Sequence, residues 1–163
     1  MGFSLSQGGQ NFIKLNELSM TSLPSGSKYL TPFLDPCQCQ YDVGWGHGLP
    51  ANNIGGTITP EQAQTYFNQD TESALSTLDS TVHTPLNPNQ VAACTDFIYT
   101  TGASGWTSSG VPAALNAGDI NGAANLMKAS TLGCGLSNAR RYRESALLTG
   151  SADLSPSGQV VTQ

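Results

Sequence analysis

Two proline-led helix starts constrain this chain more than any other feature. In "TITPEQ", Thr59 can cap, Pro60 suits the first helical position, and Gln62 can close a capping box onto Thr59. "LNPNQ" repeats the pattern with Asn87, Pro88 and Gln90. Behind the first start, Ala63, Tyr66, Phe67, Ala74, Leu75 and Leu78 fall on or near one helical face, which predicts a long helix from about 60 to 82. Behind the second, the stretch through Tyr99 is apolar enough to be a central core helix. A long amphipathic helix leading directly into a buried one implies a mostly helical body.

The other segments are read around these two. "GGQNFIKLNEL" carries Phe12, Ile13, Leu15 and Leu18 at amphipathic helical spacing. "SMTSLPSGS" is a turn-rich loop. Tyr29 to Ile58 mixes Gly, Pro, Asn and aromatics with brief alternation, which predicts hairpins. Shorter helices are expected at Val111–Asn116 and Asp119–Ala129, and a last one from about Ser137 to Leu148. "SADLSPSGQVVTQ" reads as a loose polar tail. Within the hairpin region, "YDVGWGHG" holds three glycines in eight residues, too many for a helix or a core strand.

Composition sets the function classes aside or keeps them. The 163 residues suit one domain. Charged residues make up 10 % of the chain, against roughly 25 % in an average domain, and the net charge is -5. That balance argues against nucleic acid, whose affinity comes largely from Lys and Arg on phosphates. No apolar run is long enough for a membrane span. "MGFSLSQGGQ" lacks the basic start and apolar middle of a signal peptide. "CQC" is not a zinc spacing and has no companion pair, so neither metal nor cofactor is expected. Cys94, in "QVAACTDFIY", reads as a small buried hydrophobe. Cys37, Cys39 and Cys134 lie in Gly- and polar-rich loops, where an oxidised pair is the more natural reading.

Acids are sparse in the first third: Glu17 near the end of the first helix, with Asp35 and Asp42 in the hairpin region. Two carboxylates from different elements facing one cleft are what glycoside hydrolysis needs, one protonated to serve the leaving oxygen and one ionised to activate water or support positive charge. Each is equally compatible with a solvated surface acid.

Six segments, in order, carry a resemblance over roughly Asn11 to Gly150. "NFIKLNEL" resembles a first helix ending in a catalytic Glu, "FLDP" a hairpin Asp segment, and "DVGWGHG" the Thr-Ile-Gly-Tyr-Gly-His segment of the phage-type lysozymes. "ITPEQAQTYFNQD", "GWTSSGVPAALNAGD" and "GLSNARRYRESALLTG" resemble that family's long interdomain helix, substrate-side turn and C-terminal helix. The family, glycoside hydrolase family 24, implies an α+β, mostly helical, two-lobed fold. Its small hairpin lobe (about 17–60) would be joined by the long helix (about 60–82) to a helical lobe (about 83–150, with the first helix), followed by a tail at 151–163.

The resemblance also implies roles. The partner is bacterial peptidoglycan, cut by a monomer between N-acetylmuramic acid and N-acetylglucosamine. The protein would be either an endolysin released from host cytoplasm or a secreted antibacterial enzyme. Glu17 is the general acid, with Asp35 and Asp42 orienting water. His47 and Asp70 form a structural ion pair. Tyr41, Trp106, Thr107, Ser108 and Asn138 stand near the cleft, as substrate contacts or equally as structural residues. A disulfide joins Cys37 or Cys39 to Cys134 across the cleft mouth. Two departures matter. Glu17 and Asp35 are 18 residues apart, wider than the family spacing, with the extra residues in "SMTSLPSGSKYLT", and Leu18 stands where the family usually has Gly. Asp42 replaces the family Thr, so attack by Asp42 itself, with retention, is an alternative to water activation. A lytic transglycosylase, a chitin-directed hydrolase and a glycan-binding module without activity are the other readings of the same fold.

Overall fold

The computed structural model describes residues 2–20, 27–35, 38–132 and 138–163. Both helix starts close as capping boxes. The Thr59 hydroxyl accepts from Gln62 N at 3.1 Å while Gln62 Oε1 accepts from Thr59 N at 2.9 Å, opening α2 (Pro60–Thr81). Asn87 and Gln90 exchange the same bonds at 2.9 and 3.0 Å, opening α3 (Pro88–Ser108). Before them come α1 (Gln7–Met20), a 3-10 turn (Ser27–Leu30), and the strands β1 (Phe33–Asp35), β2 (Gln40–Val43) and β3 (His47–Gly48). After them come α4 (Val111–Asn116), α5 (Ile120–Ala129), α6 (Asn138–Thr149), β4 (Ala152–Leu154) and β5 (Val160–Thr162). The strands β1, β2 and β3 form an antiparallel meander, with Asp35 opposite Gln40, Phe33 opposite Asp42, and Asp42 opposite Gly48.

The core is built on α3. Its Ala92, Ala93, Cys94, Phe97 and Ile98 are buried against Phe12 of α1, Leu78 of α2, Met127 of α5 and Leu147 of α6. Small side chains on α3 let several helices approach it closely, and Cys94 packs there as a hydrophobe. A second aromatic cluster ties the hairpin to the helices. Trp45 packs on Tyr29 and Phe67 at centroid distances of 5.0 and 5.6 Å, and the Lys14 ammonium sits 4.2 Å over its ring. Among the described residues, no helix is long and apolar enough to cross a membrane.

Three sequence expectations need correcting. The central helix does not stop at Tyr99: it runs to Ser108 across a break at Gly102, whose φ of 73° turns the axis before helix resumes. Glycine takes that conformation without steric cost, and the Thr- and Gly-rich sequence there masks the continuation. Residues 151–163 are not a loose tail either. β4 and β5 pair as a hairpin that sits on α1 and the start of α3, with Asn11 Nδ2 donating to Pro156 O at 2.9 Å and Asn89 Nδ2 to Asp153 Oδ1 at 3.1 Å. The expected disulfide also changes. Cys39 is an exposed free thiol in the β1–β2 turn, with its own N–H bonded to Asp35 O at 2.9 Å, so it does not bridge to Cys134. Cys37 and Cys134 lie outside the described residues.

Gly158 is the contact that seats this hairpin. Its φ is 88°, and a methyl group there would collide with the backbone of Asn11 and Phe12. Gly158→Ala should therefore lower stability by about 2 kcal/mol or more, read as a lower urea midpoint at unchanged slope. A midpoint equal to wild type would mean that the hairpin does not bear on α1.

Candidate functional site

Glu17 is carried by the last turn of α1 into a setting made by three other elements. Arg140 of α6 donates through Nη1 to Glu17 Oε1 at 2.7 Å. The same guanidinium grips Asp96 of α3, Nε to Oδ2 at 2.8 Å and Nη2 to Oδ1 at 2.6 Å, with both residues buried. Asn16 adds a 3.0 Å bond to Asp96 Oδ2 and accepts from Arg143 at 2.7 and 3.0 Å. Gly46 covers the far side of the carboxyl: a Cβ on it would stand 2.6 Å from Glu17 Oε2, so only glycine allows the hairpin to close on the acid. Tyr99 of α3 holds that turn in place by donating its hydroxyl to Trp45 O at 2.5 Å.

The electrostatics follow from this packing. Burial raises the Glu17 pKa above the usual carboxylate range. Arg140 opposes the rise, and the charges of Asp96 and Asp35 add to it. Asp42, 5 % exposed, is pushed up to about 6, first by burial and then by Asp35 and Glu17, against a hydrogen bond from Gln40 and the pull of His47. The charge of Asp35 thus bears on both Glu17 and Asp42, and that of Glu17 on Asp42, so the three acids form one acidic centre.

The remaining expected residues divide. His47 Nδ1 lies 2.9 Å from Asp70 Oδ2, and its ring stacks on Tyr66 at 4.1 Å. Trp106 is fully buried: its indole N–H donates to Thr81 Oγ1 at 2.8 Å and its ring packs on Phe97, so it is core and not a substrate contact. The hydroxyls of Thr107 and Ser108 bond back to Ala103 O and Gly105 O, and neither residue lines the cleft. Tyr41 pairs with Leu34, and strand alternation puts it on the opposite face of the sheet from Asp42. Asn138 is exposed at the start of α6. A cleft of about 350 Å³ runs between β2–β3 and the facing sides of α2 and α3, lined by Gln40, Gly46, Gly48, Asp70, Ser73 and Tyr99 among others; Glu17, Asp35 and Asp42 are not among its lining residues. Among the described residues, no group of three or more His, Cys, Asp or Glu is placed to hold a metal ion.

Sequence reasoning missed Asp96, Tyr99 and Gln40. A lone acid inside "QVAACTDFIY" was a usable signal, because a buried carboxylate requires a partner. Gln40 stands two residues before Asp42 in a strand, the spacing that shares a face.

The family described as "Phage lysozyme" matches residues 26–144. An endolysin of Acyrthosiphon pisum secondary endosymbiont phage 1 is 34 % identical over 95 residues, which are 56 % of this chain and 64 % of that endolysin, a little under two thirds of its length. Among solved structures, a P22 lysozyme variant superposes with a TM-score of 0.67 at 24 % identity, covering 90 % of this chain and 99 % of that one. The muramidase domain of SpmX from Asticaccaulis excentricus gives 0.69 at 25 % identity, covering 89 % and 97 %. The endolysin from Escherichia coli O157:H7 phage FAHEc1 gives 0.72 at 24 %, covering 91 % and 94 %.

The acidic centre sets a stability test. Asp42 titrates near 6 in the fold but near its ordinary value of 3.8 when unfolded, so the native state binds more protons between those pH values. Its charge therefore lowers stability as pH rises through that window. Asp42→Asn should be more stable than wild type at pH 7, by on the order of 1 kcal/mol, and should lose that advantage near pH 4. Urea midpoints at the two pH values decide it; an equal difference at both would mean that Asp42 is not held in its acid form by the fold.

Proposed function

The chain belongs to the phage lysozyme family, and on that premise we propose that it is a muramidase of the bacterial cell wall. It would hydrolyse the β-1,4 bond between N-acetylmuramic acid and N-acetylglucosamine in peptidoglycan. The observation that carries this reading is Glu17: a half-buried carboxyl with a raised pKa, fixed at one oxygen by Arg140, beside two hairpin acids. A carboxyl kept protonated by burial can deliver its proton to the glycosidic oxygen as the bond breaks. The carboxylate left behind already has the Arg140 guanidinium at 2.7 Å. Asp35 and Asp42 place negative charge on the hairpin side, where an oxocarbenium-like sugar and an incoming water need it.

The cleft suits such a substrate. Its amide and hydroxyl lining matches the hydroxyls and acetamides of a glycan chain, and Gly46 and Gly48 let the sugar approach the backbone. Four of the six basic side chains are turned inward: Arg140, Arg141 and Arg143 into carboxylates and an amide, and Lys14 over the Trp45 ring. Recognition of the wall then rests on the cleft rather than on a cationic surface.

Mass spectrometry of digested peptidoglycan tests the reading. Wild type should release reducing muropeptides carrying N-acetylmuramic acid at the new end. Glu17→Gln should cut at least about a hundredfold more slowly. The rate should fall as pH drops below about 6, where Asp42 takes up its proton, and fall again at higher pH as Glu17 loses its own. Anhydro ends would mean a transglycosylase; no products from folded protein would mean a glycan-binding module.

A further inference from the structure

Asp42 stands where the family carries a threonine, but it does not form the cleft surface. It is 5 % exposed, while Gln40 and Gly48 line the cleft beside it. Strand alternation puts Gln40 and Asp42 on the same face of β2, and the β1–β2 register puts Asp35 directly across from Gln40. The three side chains therefore share one face of the meander. The Gln40 amide nitrogen donates to Asp42 Oδ1 at 3.1 Å. Gly48 makes room for this bond, since a Cβ there would stand 2.8 Å from that nitrogen. An amide pinned through its nitrogen to a buried carboxylate has its carbonyl oxygen turned away from that carboxylate, and Gln40 is itself a lining residue of the cleft.

Resting on the muramidase reading, we propose that Gln40 holds the attacking water, with Asp42 as the buried anchor that orients its amide. Gln40 Oε1 accepts one hydrogen of the water. Asp35, its cross-strand neighbour, takes the other proton as the water oxygen bonds to the anomeric carbon. The glycosidic bond breaks at the same centre, and the leaving oxygen receives the proton of Glu17. The strand position before the aromatic Tyr41, not the position of the missing threonine, then supplies the neutral hydrogen-bonding group on the water side.

The test is steady-state kinetics on peptidoglycan with Gln40→Met, Gln40→Glu and Asp42→Asn, alongside thermal unfolding. Gln40→Met should lower kcat about a hundredfold with KM within a few-fold and the fold retained. Asp42→Asn keeps an acceptor for the Gln40 amide and should lose less kcat than Gln40→Met. Gln40→Glu is isosteric but cannot donate to Asp42, and it adds a carboxylate beside Asp35; its acid limb should move to higher pH. A Gln40→Met enzyme with full kcat, or an Asp42→Asn enzyme more impaired than Gln40→Met, would overturn the assignment and make Asp42 the direct base. Should Gln40→Met fail to fold, an unmoved acid limb in Gln40→Glu overturns it instead. Wild type that yields anhydro ends, or nothing, overturns the muramidase reading together with this one, since no water is then delivered. An active wild type with an indifferent Gln40 overturns only this one.

Discussion

The buried guanidinium of Arg140 is the interaction on which the rest of the site depends. It joins α6 to α1 through Glu17 and to α3 through Asp96. A cation 2.7 Å from a carboxylate would ordinarily hold that carboxylate ionised. Here the opposite holds, because Asp96 engages the same guanidinium with two bonds and is itself fully buried. Arg140 and Asp96 already neutralise each other, so an ionised Glu17 would be an excess charge in a desolvated place. Burial then outweighs the attraction, and the Glu17 pKa is raised rather than lowered. The bond to Arg140 matters most after the proton has gone, when it steadies the new carboxylate. Buried ion pairs seldom add net stability over a packed apolar cluster. Their presence here is better explained by a group that must change charge without leaving its place.

The hairpin is shaped by the same requirement. Gly46 closes over Glu17, the Tyr99 hydroxyl fixes the turn through Trp45 O, and Trp45 fills the space beneath on Tyr29 and Phe67. The dense glycines of "YDVGWGHG" answer to backbone contact with an acid on another element, which no side-chain periodicity encodes. The structure also separates residues adjacent in sequence: Tyr41 turns to one face of the sheet and Asp42 to the other.

What could be read from the sequence followed from local rules. Thr59 and Asn87 begin their helices by bonds to residues three positions on, so a few letters suffice. Asp119 caps α5 in the same way, accepting from Gly122 N at 2.8 Å. What could not be read depends on partners distant in the chain. Gly102 looks like a helix end until the packing on its far side is known, and helix continues through Trp106 because that indole fills the core against Phe97. β4 and β5 are polar enough to pass for a tail, and they are ordered by α1, which lies at the other end of the chain. The site divides in the same way. Its acids were visible as acids, whereas Asp96 and Gln40 gain their meaning only from Arg140 and Asp42.

An acidic centre of this kind costs stability, and the architecture contains what offsets it. Glu17 and Asp42 are both held in desolvated positions where their ionised forms are disfavoured, with Asp35 adding repulsion to each. The strain would be relieved if α1 could tilt Glu17 toward water. Two contacts oppose that tilt from opposite ends of the helix. The C-terminal hairpin clamps the first turns at Gly8, Asn11 and Phe12, and Arg140 and Arg143 hold the last turn through Glu17 and Asn16. The two clamps act on the Glu17 pKa in opposite senses: the burial they enforce raises it, while the Arg140 bond itself lowers it. The hairpin that looks dispensable in the sequence thus holds the first turns of the same helix whose last turn carries Glu17.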